Sequence, residues 1–199
     1  MCRVLFVSWH FYLDNSNGAS ISARELLLGL KERGWNVKTL CGPLVDNHNV
    51  SDVFNVLRSR GFQANAEIQE KGEQAFTVYS FNDCGIRSVV FCTEKYSYVP
   101  RRATGELFLS LFASSLARTK PDLIITYGGS WLAAKILRVA RKARVKSVFL
   151  LQNFAYNDKK LFELVDTTIV PSQYASDLYK RRLGITMITI LLQKIGALN

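Results

Sequence analysis

Apolar runs of strand length alternate with helical patterns along most of this 199-residue chain, and that alternation limits the fold more than any other feature. The spacing predicts a strand over residues 3–9 and a helix over 19–33. In that helix Ala23, Leu26, Leu27 and Leu30 recur at one face, and Gly34 is placed to end it. A second strand is expected over 36–40, closed by a Cys41-Gly42-Pro43 turn, and then a helix capped by Ser51 and ended by Gly61. Between Phe62 and Arg102 the periodicity blurs into two strand-like runs, 76–81 and 87–92, behind a polar, glutamate-rich connector. It returns with helices over 104–119, 130–143, 159–165 and 173–182, the last capped by Ser172, and strands over 122–127, 146–151 and 167–170. Strands that alternate with helices form βαβ units around a parallel sheet. The expected fold class is therefore α/β, a doubly wound Rossmann-like parallel sheet with helices on both faces. Residues 1–184 read as one domain. Residues 185–199 are an apolar tail, either a further element of the domain or the truncated start of an inter-domain connection.

The turn after the first strand excludes several chemistries. Residues 16–20 read Ser-Asn-Gly-Ala-Ser, with Gly18 alone where a dinucleotide site needs three glycines. The second strand ends near Cys41, not at an acid that could hold a ribose hydroxyl. No P-loop, no GxSxG elbow and no Asp-x-Asp pair occurs. His10 and His48 are the only histidines, so neither a metal nor another cofactor is expected.

Composition adds broad limits. Hydrophobic residues make up 48% and charged residues 21%, a globular balance. Cys2, Cys41, Cys84 and Cys92 have no metal or redox spacing and read as reduced, mostly buried thiols. No apolar run reaches the length of a membrane span, and the first residues lack the pattern of a signal peptide, so a cytoplasmic location is expected. The net charge of +10 favours anionic partners, and peripheral attraction to the inner face of an anionic membrane fits it better than nucleic acid.

Several stretches together carry a resemblance: Phe11-Tyr12, Asn17-Gly18-Ala19, Glu25-Leu26-Leu27, the run from Lys31 to Val37, Pro121 to Ile125, and Val165 to Ser172 with the helix down to Gly184. Their order resembles the N-terminal half of the GT-B glycosyltransferases, and is most similar to glycosyltransferase family 4. The resemblance implies the acceptor-side domain of a hexosyltransferase-like enzyme. Such an enzyme moves a sugar from a nucleotide-sugar donor to a glycan or lipid-linked acceptor, as in cell-envelope glycan synthesis. The family's C-terminal signature, two glutamates separated by seven residues, does not occur. The donor-binding domain is therefore expected to be absent, or to lie on a separate segment, and the chain is expected to be inactive alone. Many relatives carry a histidine where this chain has Tyr127. A non-catalytic binding or interaction module on the same fold, seated at an anionic membrane or protein surface, is the alternative.

Ligands of doubly wound sheets gather where strands end and helices begin. On that rule His10 is the candidate catalytic base or orienting group, with a structural histidine under the loop as the other reading. Asn17, Gly18, Ala19 and Ser20 are candidate substrate contacts, the last three mainly through backbone amides at a helix start. Tyr127, Gly128, Gly129 and Ser130 open another helix at a strand end. Asn153, Phe154 and Tyr156 follow the next strand. Trp9 and Trp131 read as packing residues.

Overall fold

The computed structural model describes residues 1–47, 52–71, 74–93, 97–185 and 188–189. His48 and Ser51 lie outside the described residues, as does most of the tail from residue 186. A nine-stranded sheet runs through the molecule in the order β3-β4-β5-β2-β1-β6-β7-β8-β9. Its centre is β1 (Arg3–His10), flanked by β2 (Asn36–Leu44) and β6 (Leu123–Thr126), all parallel. Beyond β6 follow β7 (Lys146–Leu150), β8 (Thr167–Val170) and β9 (Ile188–Thr189), also parallel. Beyond β2 lies β5 (Ile86–Cys92), still parallel, and then two antiparallel strands, β4 (Gln74–Asp83) and β3 (Asn65–Lys71).

Alternation along the central strands assigns each side chain to a face. In β1, Val4 and Phe6 join one buried cluster while Leu5, Val7 and Trp9 join the other. In β6, Ile125 and Ile124 divide the same way. The first face is covered by α1 (Gly18–Glu32) through Ala23 and Leu27, and by α2 (Val53–Ser59) through Val53 and Leu57. The second is covered by α3 (Arg102–Thr119) and α4 (Trp131–Lys142). Leu137 of α4 also meets α5 (Lys159–Phe162) and α6 (Gln173–Leu183) in a third cluster around Phe149 and Tyr179. Each fully buried Leu, Ile or Phe of these layers is worth roughly 1.5–3 kcal/mol of transfer free energy. The fold is thus doubly wound, and the winding reverses between β1 and β6.

Four expectations need correction. First, Cys41-Gly42-Pro43 is not a turn, because β2 continues through it to Leu44. Ser8 pairs with Cys41 and His10 with Leu44, so β2 carries one extra residue there, a bulge that gives the proline a place without a ladder N–H. Gly42 lies against the Trp9 ring and carbonyl, where a Cβ would overlap both. Second, the polar connector contains β3, an exposed edge strand whose lack of a buried face erases the alternation that would announce it. Third, α2 is capped by Asp52, which accepts from the Asn55 amide. Fourth, of the cysteines only Cys41 is buried, and burial pushes its thiol up to about 12. Cys2 and Cys92 are half-buried, and Cys84 is exposed at the β4–β5 turn, with positive φ at both Cys84 and Gly85.

Candidate functional site

The ends of β1, β6, β7 and β8 meet the starts of α1 and α4 at one rim, around a cleft of about 860 Å³. His10 closes β1 on its floor. It pairs with Leu44 beyond the β2 bulge, and the amide of the next residue, Phe11, donates to the Leu44 carbonyl at 2.8 Å. His10 is 8% exposed, and its Nδ1 is fully buried beside Gly128 without a protein partner, so that nitrogen does not open to the cleft. Its ring lies 5.2 Å from that of Tyr127 and edge-on to Tyr98 at 5.6 Å. Burial holds the histidine below its ordinary pKa of 6.5, and the nearby Asp46 and Asp14 only partly oppose that shift. The group is therefore a neutral imidazole at pH 7, able to hydrogen-bond a hydroxyl or take its proton.

Across the floor Gly128 adopts φ +118°, a conformation that favours glycine, and an added Cβ would lie 3.7 Å from His10 Nδ1. Gly129 approaches the Tyr156 ring, which a Cβ would meet at 3.3 Å. Ser130 stands at the N-cap of α4, where its side chain makes no capping bond. All three line the cleft, as do Asn153 and Tyr156. Asn153 Oδ1 accepts from the Ala155 amide, and its carbonyl accepts from the Tyr179 hydroxyl, so the loop after β7 is tied to α6.

The first turn of α1 is arranged differently from the sequence reading. Asn17 Oδ1 accepts from the Ala19 and Ser20 amides at 2.8 and 3.2 Å. Two of the amides expected to meet a ligand are thus already capped. Asn17, Gly18 and Ala19 do line the cleft. Ser20 does not: it is fully buried, and its hydroxyl bonds that of Tyr127 at 2.8 Å. Tyr127 lines the cleft but is almost wholly buried, with its ring against Phe6 and its hydroxyl bracing α1 against the end of β6. Burial raises this phenol above the usual tyrosine range. Phe154 is also outside the cleft: half exposed, it packs edge-on against Tyr174 at 5.8 Å.

Trp9 and Trp131 are packing residues, as expected. Trp9 is buried, and its N–H donates to the Ser97 carbonyl. Trp131 edges the cleft, with its N–H on the Pro100 carbonyl and its ring over Gly105. The sequence reading missed Asp46, Tyr98, Gln152, Asn157 and Asp158, which all line the cleft. Asp46 is positioned by Asp14, a buried carboxylate that accepts from the Ser16 amide and hydroxyl and from the Asp46 amide. Gln152 follows the end of β7, so the rule that located His10 would have found it; Asp46 follows Leu44, beyond the strand end expected at Leu40.

No protein-family model matches the sequence, and no curated protein matches it. Solved structures do match. The catalytic domain of starch synthase IV from Arabidopsis thaliana, bound to ADP and acarbose, aligns with a TM-score of 0.61 at 11% identity, over 96% of this chain and 51% of its own. A Listeria monocytogenes protein assigned as a UDP-N-acetylglucosamine 2-epimerase aligns with a TM-score of 0.57 at 7% identity, over 96% of this chain and 44% of its own. The UDP-GlcNAc 2-epimerase of Neisseria meningitidis, bound to UDP-GlcNAc, gives 0.52 at 12% identity, over 90% and 43%. The fold is one half of a GT-B fold. The chain spans about half the length of these structures, and at such identities the likeness is one of fold alone. Among the described residues no helix is long and apolar enough to cross a membrane.

Proposed function

We propose that the chain is the N-terminal, acceptor-side half of a family 4-like glycosyltransferase, and that its cleft holds the acceptor of a transfer from a nucleotide-sugar. The observation that carries this reading is His10: nine-tenths buried, held neutral by that burial, and in the lining of a large cleft where the sheet reverses its winding. A neutral imidazole in that place orients an acceptor hydroxyl and takes its proton as the acceptor oxygen bonds the donor's anomeric carbon. The bond from that carbon to the donor phosphate breaks, and the nucleotide leaves. The glycines at 128 and 129 let the acceptor approach the backbone. In this reading the donor is bound by a second domain, and transfer needs no metal. Exposed basic residues on α4 and α6, Arg138, Arg141, Lys142, Lys180 and Arg181 among them, serve contact with an anionic membrane surface.

The test is a transfer and donor-hydrolysis assay over a panel of nucleotide-sugars and saccharide or lipid-linked acceptors, with and without a supplied donor-binding domain. The expected result is no turnover by the 199 residues alone, and EDTA-resistant transfer once the second domain is present. Transfer should fall by about 10²–10⁴-fold in His10→Gln, the range for a lost general base. Turnover by the chain alone, or full activity in His10→Gln, would refute the reading.

A further inference from the structure

The chain carries 26 Lys and Arg against 16 Asp and Glu, yet among the described residues neither Lys nor Arg lines the cleft. The charged side chains that do line it are Asp46 and Asp158. Asp14 stands just behind, and the charges that act on His10 are the carboxylates of Asp46 and Asp14. Lys159 and Lys160, exposed between the lining residues Asp158 and Leu161, do not line the cleft, and two arginines beside it are engaged elsewhere. Arg102 stacks over the Trp131 ring at 5.6 Å, and Arg182 donates to the Phe154 carbonyl at 3.0 Å. The other means by which such a rim holds an anion, the open amides of a helix start, is closed at α1, where Asn17 occupies those of Ala19 and Ser20, whereas the start of α4 lacks a side-chain cap. What remains is a lining made of the His10 imidazole, the residues Tyr98, Trp131 and Tyr156, and acceptor-rich side chains such as Gln152 and Asn153. Carboxylates and amides accept from hydroxyls, and aromatic rings cover the apolar faces of pyranoses.

We infer that the cleft is built for an uncharged, hydroxyl-rich acceptor, a sugar or polyol without phosphate, and that it rejects phosphorylated acceptors. This inference rests on the acceptor-site reading above and gives it a substrate class. A dianionic phosphate would lie within a Debye length of two carboxylates with no cation of this lining to offset them.

The experiment uses the full ¹⁵N-labelled chain at low ionic strength, where any attraction for anions would be greatest. The reporters are the Trp131 indole N–H and the His10 imidazole, assigned with Trp131→Phe and His10→Gln. Glucose, maltose and trehalose are titrated beside glucose 6-phosphate and trehalose 6-phosphate. The neutral sugars are expected to shift both reporters, and the phosphorylated ones to bind about tenfold more weakly or worse. The pair Asp46→Asn with Asp158→Asn should narrow that gap to about twofold, since asparagine keeps the α5 cap but removes the repulsion. Phosphorylated sugars that bind as tightly as neutral ones, or a gap unmoved in the double variant, would overturn the inference and leave the acceptor cleft standing. If no saccharide shifts either reporter, the acceptor reading falls with it.

Discussion

Asp83 ends β4 fully buried, and its carboxylate is held by three donors from two elements. Arg24 of α1 reaches it with Nε at 2.9 Å and an Nη at 2.7 Å, and the Tyr12 hydroxyl adds a third bond at 3.1 Å. Tyr12 is also bonded to Ser88 of β5 at 2.7 Å. This network is the polar clamp between α1 and the antiparallel extension of the sheet. Arg24→Met removes the two charge-assisted bonds and keeps most of the side-chain volume, so the packing change is small. What it leaves is a carboxylate out of water with one neutral donor. Removing one partner of a buried pair costs about 3–5 kcal/mol, and because the Arg24 side chain is 28% exposed we expect the lower end, about 3 kcal/mol. For a chain of this size that is a fall in Tm of about 6–12 °C, with the urea m-value unchanged. The decisive comparison is Arg24→Met combined with Asp83→Leu. With both charges gone no buried ion is left unpaired, and most of the lost stability should return. A loss under about 1 kcal/mol in Arg24→Met, or a double variant no more stable than the single, would refute this account of the clamp.

Three further outcomes are expected. Asn17→Ala should cost about 1 kcal/mol in urea unfolding, because the Ala19 and Ser20 amides lose their acceptor, while Asn17→Asp should be close to neutral. Gly128→Ala should cost about 1–3 kcal/mol through its φ of +118° and not through a clash, since the nearest atom to the new Cβ is 3.7 Å away; the same unfolding curve measures it. Because the His10 pKa is lower folded than unfolded, the unfolded chain binds more protons on acidification. Stability is therefore full above pH 6.5 and declines as pH falls through the lower folded value. His10→Gln should flatten the profile of Tm against pH in that window, and an unchanged profile would exclude His10 as its source.

Most of the architecture is legible in the residues because two faces of one sheet must each be buried. Ile124 and Ile125 already state that both sides of β6 are covered, and Ser172 caps α6 by accepting from the Ala175 amide as its position predicts. The misreadings share a physical origin. Gly42-Pro43 is turn chemistry by composition, but a bulge has the same requirements: a missing side chain against Trp9 and a residue that needs no ladder donor. Ending β2 at Leu40 then hid Asp46, which sits on the rim only because the strand runs on to Leu44. Tyr98 was hidden by the irregular stretch that it belongs to. Ser20 and Phe154 fail for a different reason. Position beside a rim does not say which way a side chain points, and these two are taken by Tyr127 and Tyr174.

The single glycine of the first turn follows from the same geometry. A site that reads a pyrophosphate through backbone amides must keep those amides open and strip the loop of side chains, hence its several glycines. Here the amides of Ala19 and Ser20 belong to Asn17, and Asp14 and Ser16 hold the loop before it. Nothing in that turn needs a second close backbone approach. In the acceptor-site reading proposed above, recognition moves to side chains at neighbouring strand ends: His10 from β1, Asp46 beyond β2, and Gln152 and Asn153 beyond β7. Backbone amides favour charge, whereas neutral imidazole, amide and carboxylate groups favour hydroxyls. On that reading, a self-capped turn and a cleft whose described lining lacks cations both follow from one choice of ligand chemistry.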